Sequence, residues 1–179
     1  MVIRSKSKLC RSTYLSFNIV LVEPEIPPNT GNIARLCAAT SSKLHLIHPL
    51  GFKIDDKKLK RAGLDYWHLL DIEEHKSWDD FYSKYSSQAL AGLYFMSTRG
   101  EKNIWQVDFN PGDFLIFGSE TKGLSEEILN IKKHQNSIVS IPMNGESRSI
   151  NLSTAAGIVL YEAIRQVTVE KKLYEVVPI

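Results

Sequence analysis

The sequence predicts an α/β domain with a mainly parallel sheet flanked by helices, and three observations carry that prediction. Short apolar runs of the kind buried on both sheet faces recur along the chain, in FNIVLVEP, KLHLIHP, ALAGLYFMS, DFLIFGS and SIVSIP. Segments with helical caps or helical apolar spacing separate them. No internal repeat, low-complexity block or Pro/Gly linker breaks the alternation, so residues 17–179 read as one domain behind a short arm, 1–16.

FNIVLVEP opens the domain as a strand, followed by a Pro-rich turn and a helix opening near Asn29 and Thr30. Ile33, Leu36, Cys37 and Thr40 fall at helical spacing and predict its buried stripe, with Arg35 off that stripe. After the KLHLIHP strand, IDDKKLKRAG predicts a short helix ended by Gly63 with its basic residues outward. SWDDFYSKY predicts a helix capped by Ser77, with Asp80 in the capping-box position. LSEEIL predicts another, with Ser125 as cap, Glu126 and Glu127 at its positive end, and Leu124 placed to staple onto Leu129. INLSTAAGIVLYEAIRQV is the longest helix. Ordinary topology rules then give a doubly wound sheet with a ligand at the carboxyl ends of its strands.

A length of 179 residues suits one domain with a substantial core. No apolar run is long enough to cross a bilayer, which predicts a soluble protein without a membrane partner. The net charge of +2 hides an asymmetry. Arg4, Lys6, Lys8 and Arg11 lie in the acid-free arm, leaving 18 basic against 20 acidic residues in the body. Net charge therefore does not point to nucleic acid, and an RNA partner needs a local basic patch. The arm is expected to be a flexible extension. Its resemblance to a transit peptide makes organellar import the alternative to a cytoplasmic location. Cys10 and Cys37 make neither a disulfide framework nor a metal-ligand spacing, and the five histidines are scattered, so no metal is expected.

Three segments stand out chemically. PPNTGNIARL is a strand-to-helix loop in which Gly31 permits close backbone approach and the helix start offers free amides to an anion; taken alone it reads rather as a well-capped helix with a solvated Arg35. LIFGSETKGL follows a buried strand and has neither a dinucleotide fingerprint nor a P-loop. Its two glycines suit a flat ligand against main chain, and also a plain turn. SIPMNGESRSINLSTAAG is a long polar loop rich in donors and acceptors, part of which is routine helix capping. Lys57, Lys58, Lys60 and Arg61, followed by Tyr66 and Trp67, interleave base and aromatic; from spacing alone that is a solvated helix face, and it also suits RNA.

Taken together and in this order, the three segments resemble the motifs of the SPOUT methyltransferases. NIVLVEPEIPPNTGNIARL, KRAGLDYW and SRSINLS are similar to the wobble-position tRNA 2′-O-methyltransferases of the TrmL type, over residues 17 to 166. That resemblance implies the SPOUT α/β knot, with a C-terminal trefoil, and a homodimer with its sites at the subunit interface. It implies S-adenosylmethionine as methyl donor, held by Met96, Ser97, Gly118, Ile141, Met143 and Ser149, and tRNA as substrate, modified on the ribose of a wobble cytidine or modified uridine.

By the same resemblance Arg35, Glu120 and Asn151 are the catalytic set, and Asn29, Lys57, Lys60, Arg61 and Arg148 contact RNA. Glu120 is expected to position Arg35 or Asn29 of one subunit against the other. A guanidinium with a pKa above about 12 is a poor general base, so Arg35 is expected to stabilise the emerging alkoxide or hold a phosphate. Asn151 orients the ribose or caps the last helix. The competing readings are an idle RNA-binding module of the same fold, a 2′-O-methyltransferase of another RNA site, and a nucleotide-binding protein acting on a metabolite.

Overall fold

The computed structural model describes residues 16–54, 70–86, 91–131, 137–145 and 149–171, with side chains described as far as residue 168. The strands are β1 (Asn18–Val22), β2 (Lys43–Ile47), β3 (Ile72–His75), β4 (Leu93–Met96), β5 (Lys102–Asn103), β6 (Phe114–Phe117) and β7 (Ile138–Ser140). The helices are α1 (Pro27–Thr40), α2 (Trp78–Tyr85), α3 (Glu126–Leu129) and α4 (Leu152–Lys171). The strands form one seven-stranded sheet in the order β3-β2-β1-β6-β4-β7-β5. Every ladder described in it is parallel.

Strand alternation explains why the apolar runs are continuous. Ile19 and Leu21 of β1, with Leu115 and Phe117 of β6, face one core, together with Ile33, Ala34 and Cys37 of α1 and Ala156, Val159, Leu160 and Ala163 of α4. Val20 and Val22, with Phe114 and Ile116, face the other, which holds Phe81 and Tyr85 of α2 and Ile128 and Leu129 of α3. A central strand with a helix layer on each face must be apolar on both faces. Gln166 of α4 accepts from Phe109 N at 2.9 Å and donates to the Val107 carbonyl at 3.1 Å, pinning the last helix to the segment after β5.

Two local expectations are corrected. Helix α1 begins at Pro27, two residues before Asn29, because proline's fixed φ and missing N–H suit the first turn. Its buried face is Thr30, Ile33, Ala34 and Cys37, whereas Leu36 and Thr40 are only partly covered. The stripe is rotated toward Ala34, which shares one core with Ala156, Val159 and Leu160 of α4. Helix α2 keeps its Ser77 cap, which accepts from Asp80 N at 3.2 Å, but the Asp80 carboxylate reaches Lys76 N (3.1 Å), one residue beyond the box. Ser125 caps α3, accepting from Ile128 N at 3.4 Å. The expected helix over IDDKKLKRAG lies outside the described residues.

Strands β3 and β5 had no sequence signal. IEEH carries two carboxylates and no alternation because it is an edge strand, and β5 is two residues long. The order is also not that of a simple doubly wound sheet. After β4 and β5 the chain returns to insert β6 between β1 and β4, then β7 between β4 and β5.

Candidate active site

Strands β4, β6 and β7 are adjacent and parallel, and the loops leaving their carboxyl ends enclose a cleft of about 530 Å³. That is the place topology assigns to a ligand in an open parallel sheet. All six residues expected to hold a methyl donor line it: Met96, Ser97, Gly118, Ile141, Met143 and Ser149. Asn29, Glu120 and Asn151 line it too. The volume falls within the usual range for a small-molecule site, roughly 300–1,000 Å³.

The second loop folds back tightly at its start. A Cβ on Gly118 would sit 2.0 Å from the Gly123 carbonyl carbon and 2.1 Å from Leu124 N, so only glycine fits. Gly123 has φ +70°, and Ser119 bridges to it. This turn keeps Gly118 at the cleft wall beside the apolar Met96, Ile141 and Leu152.

One hydrogen-bonded chain joins the three segments. The Glu120 carboxylate accepts from Glu25 N (2.7 Å), Ile26 N (3.2 Å) and Asn29 Nδ2 (2.9 Å). It therefore sits at the amino end of α1, where a negative charge is favoured. Asn29 is 5% exposed, and its Oδ1 accepts from Asn151 Nδ2 at 3.0 Å. Asn151 in turn accepts from Ser153 N (3.0 Å) and Thr154 N (3.3 Å), so it caps α4 while it faces the cleft. Within the chain, Asn29 is the side chain that Glu120 holds.

Arg35 is exposed on α1 and does not line the cleft of its own chain. Lys57, Lys60, Arg61 and Arg148 lie outside the described residues, as do Tyr66 and Trp67. Sequence reasoning missed Glu25, whose side chain accepts from Thr121 in the second loop, and Arg99, a lining residue paired with Glu126 at the start of α3. The doubled carboxylate in VEPEIPP, just ahead of the helix, was the signal available for Glu25.

A second polar cluster lies on the α2 side of the sheet. His45 Nδ1 is 3.0 Å from His75 Nε2, and His45 Nε2 is 3.3 Å from Asn18 Oδ1. Asn18 Nδ2 donates to the Gly112 carbonyl (2.7 Å), which fixes the amide and makes His45 Nε2 the donor to its oxygen. His45 Nδ1 is then the acceptor for His75. Phe81, Tyr85 and Phe114 surround His45. Burial, with the neighbouring His75, pushes His45 down to about 3. Burial lowers His75 as well. Burial opposes ionisation of Glu73, but hydrogen bonds from Lys43, Lys84 and Tyr85 outweigh it and hold the carboxyl below its ordinary range.

The ligand atoms of His45, Glu73 and His75 lie within 4.8 Å of one another. Two of the histidines, His45 and His75, are thus brought together by the parallel pairing of β2 with β3, although 30 residues apart in sequence. Glu73 already serves two ammonium groups and a phenol, and the His45 lone pair is taken by His75, so the cluster reads as a structural tie between strands.

The SpoU rRNA methylase family model matches residues 16–161. A tRNA (cytidine(34)-2′-O)-methyltransferase of Saccharophagus degradans is 53% identical over 150 residues, covering 84% of this chain and 95% of that protein. The protein of the same description from Yersinia pestis is 51% identical, covering 83% of this chain and 93% of its own. A solved structure described as giving insights into the 2-OH methylation of C/U34 on tRNA superposes with a TM-score of 0.81 at 43% identity, covering 88% of this chain and 99% of that one. The SpoU methyltransferase AviRb from Streptomyces viridochromogenes, in complex with AdoMet, gives 0.76 at 25% identity, covering 86% of this chain and 58% of its own. With its three loops gathered at one cleft and a family match spanning most of its length, the chain belongs to the SpoU rRNA methylase family.

Proposed function

We propose that this chain transfers a methyl group from S-adenosylmethionine to the ribose 2′-hydroxyl of the wobble nucleotide of tRNA, a cytidine or modified uridine. The observation that carries this reading is the Glu120–Asn29–Asn151 chain at the rim of a cleft lined by all six expected donor residues. The relatives named for cytidine 34 methylation, at about half sequence identity over nearly their full length, support the substrate.

The donor supplies an electrophilic methyl on a sulfonium. Met96, Ile141, Met143 and Leu152 give apolar cover, the main chain at Gly118 and Ser97 offers polar edges, and Ser149 stands at the mouth. Asn151, held by Asn29 and by the start of α4, orients the ribose, and alignment supplies much of such a rate enhancement. Arg35 steadies the alkoxide as its proton leaves to a phosphate or water. Lys57, Lys60, Arg61 and Arg148 take the RNA backbone.

Homodimerisation belongs to the same reading, with the site at the subunit interface. Its support is an apolar surface next to the cleft: Trp105 (67% exposed), Ile158 (38%) and Tyr161 (51%) line a hollow that shares Ile141 and Ile150 with it. A second copy would cover this surface and bring its own Arg35 to the shared site. The strand order, with β6 and β7 inserted late and α4 returning to α1, supports the C-terminal trefoil knot. Residues 17–179 form the catalytic domain, and residues 1–16 add a basic extension. No helix among the described residues is long and apolar enough to cross a membrane, and a cytoplasmic site of action completes the reading.

The experiment is mass-spectrometric mapping of 2′-O-methyls in tRNA with and without the protein, paired with methyl transfer by purified protein. Wobble methylation is expected to disappear with the protein; its persistence would overturn the substrate.

A further inference from the structure

We infer that Glu25 is a positioning residue for methyl transfer, its carboxylate clamping the 119–123 loop so that Glu120 stays locked onto Asn29. This rests on the methyltransferase reading above. The geometry is reciprocal. Glu25 N donates to Glu120 Oε2 at 2.7 Å, while the Glu25 carboxylate accepts from Thr121 N at 3.2 Å and from Thr121 Oγ1 at 2.7 and 2.8 Å. Each loop thus supplies one carboxylate to the other's main chain, through neighbouring residues.

The two sides of this clamp differ in firmness. On the first, the backbone around Glu25 is fixed: Glu23 holds φ 52°, Gly51 N donates to the Pro24 carbonyl at 2.9 Å, and a Cβ on Gly51 would meet Glu25 Cα at 2.8 Å. On the second, Thr121 and Lys122 are exposed between Gly118 and Gly123, and among the described residues Lys122 N and Gly123 N make local turn bonds to Ser119. Glu25 gives that loop an anchor one residue from Glu120. Glu25 does not line the cleft, so it acts through Glu120 rather than on the donor.

The test compares Glu25→Ala, Glu120→Ala and the double variant in methyl transfer to tRNA, with donor affinity measured by calorimetry. Glu25→Ala is expected to lower kcat about tenfold, in line with the sensitivity of aligned reactions to small displacements, while the donor Kd moves less than about threefold. The double variant should be no slower than Glu120→Ala, since both act on one contact. Glu25→Gln keeps an acceptor oxygen and should recover most of the rate. Full kcat in Glu25→Ala, or losses that multiply in the double variant, would overturn the proposal.

Hydrogen exchange at the Thr121 amide separates this proposal from the reading beneath it. Faster exchange is expected in Glu25→Ala and in Thr121→Val, both folded by circular dichroism, and unchanged exchange in both would sink the clamp. A wild-type protein that binds donor yet methylates no tRNA would sink the methyltransferase reading alone, leaving exchange to judge the clamp.

Discussion

The molecule ties neighbouring segments together with two polar networks, one at the cleft rim and one beside β2 and β3. At the rim, Glu120, Asn29 and Asn151 join three loops within hydrogen-bond reach of open space. Beside β2, His45 and His75 are closed in by rings and both are nearly or fully buried. The rim has room for another polar group to join, which is what recognition needs. The pair at β2 and β3 is enclosed, so a change there is felt as stability. Changes in the two regions should therefore separate folding from turnover.

The largest expected effect is on folding. His45→Ala removes a buried ring, leaves Asn18 Oδ1 without its donor, and leaves His75 without its acceptor. Cavity and lost hydrogen bonds together are expected to destabilise by about 3–4 kcal/mol, or roughly 10 °C in Tm for a chain of this size. Methyl transfer at 20 °C, per folded molecule, should stay within about threefold of wild type. A hundredfold loss of turnover with unchanged Tm would place the histidines in the chemistry instead.

The reverse pattern belongs to Arg35. Its exposure predicts a Tm within about 1 °C of wild type for Arg35→Ala. The role proposed for Arg35 at the alkoxide predicts a kcat lower by about a hundredfold, near 2.7 kcal/mol. Full turnover in this variant would remove Arg35 from the mechanism and leave alignment as the main source of rate.

How far each region was legible follows from how each is built. The central strands were legible because β1 and β6 are covered on both faces, leaving continuous apolar runs. The three loops were legible only through resemblance, since Asn29 and Asn151 look like ordinary caps, and Asn151 is one. What was not legible arises from pairing at a distance. The sequence separations are 95 residues for Glu25 with Glu120, 122 for Asn151 with Asn29 and 30 for His45 with His75, and no local period connects them. Edge strand β3 escaped because the carboxylates at its centre break the apolar run, Glu73 serving Lys43 and Lys84.

The buried pair also predicts a pH dependence. In the folded state His45 stays neutral down to about 3, whereas an unfolded histidine takes a proton near pH 6.5. Unfolding therefore binds a proton below that value, and stability present above pH 6.5 is lost as pH falls, by about 1.4 kcal/mol per unit. His75 acts in the same direction, and Glu73, held low by its lysines, adds its loss at more acid pH. Urea midpoints from pH 7 to pH 4 should fall steadily, and more shallowly in His45→Gln. A flat profile would mean that the pair opens to water.

The smallest effect concerns Thr30, on the α1 turn that carries Asn29. Thr30 is fully buried, and its Oγ1 has no hydrogen-bond partner among the described residues. Burying a hydroxyl without a partner costs about 1–3 kcal/mol. Valine has nearly the same shape, keeps the β-branch and removes the polar atom, so Thr30→Val should raise stability by about 1 kcal/mol. Thermal unfolding and turnover together decide what the hydroxyl is for. A higher Tm with unchanged kcat makes it a tolerated fault of the core. A higher Tm with reduced kcat puts Thr30 on the functional side of the division, since Asn29 next to it is the link between Glu120 and Asn151.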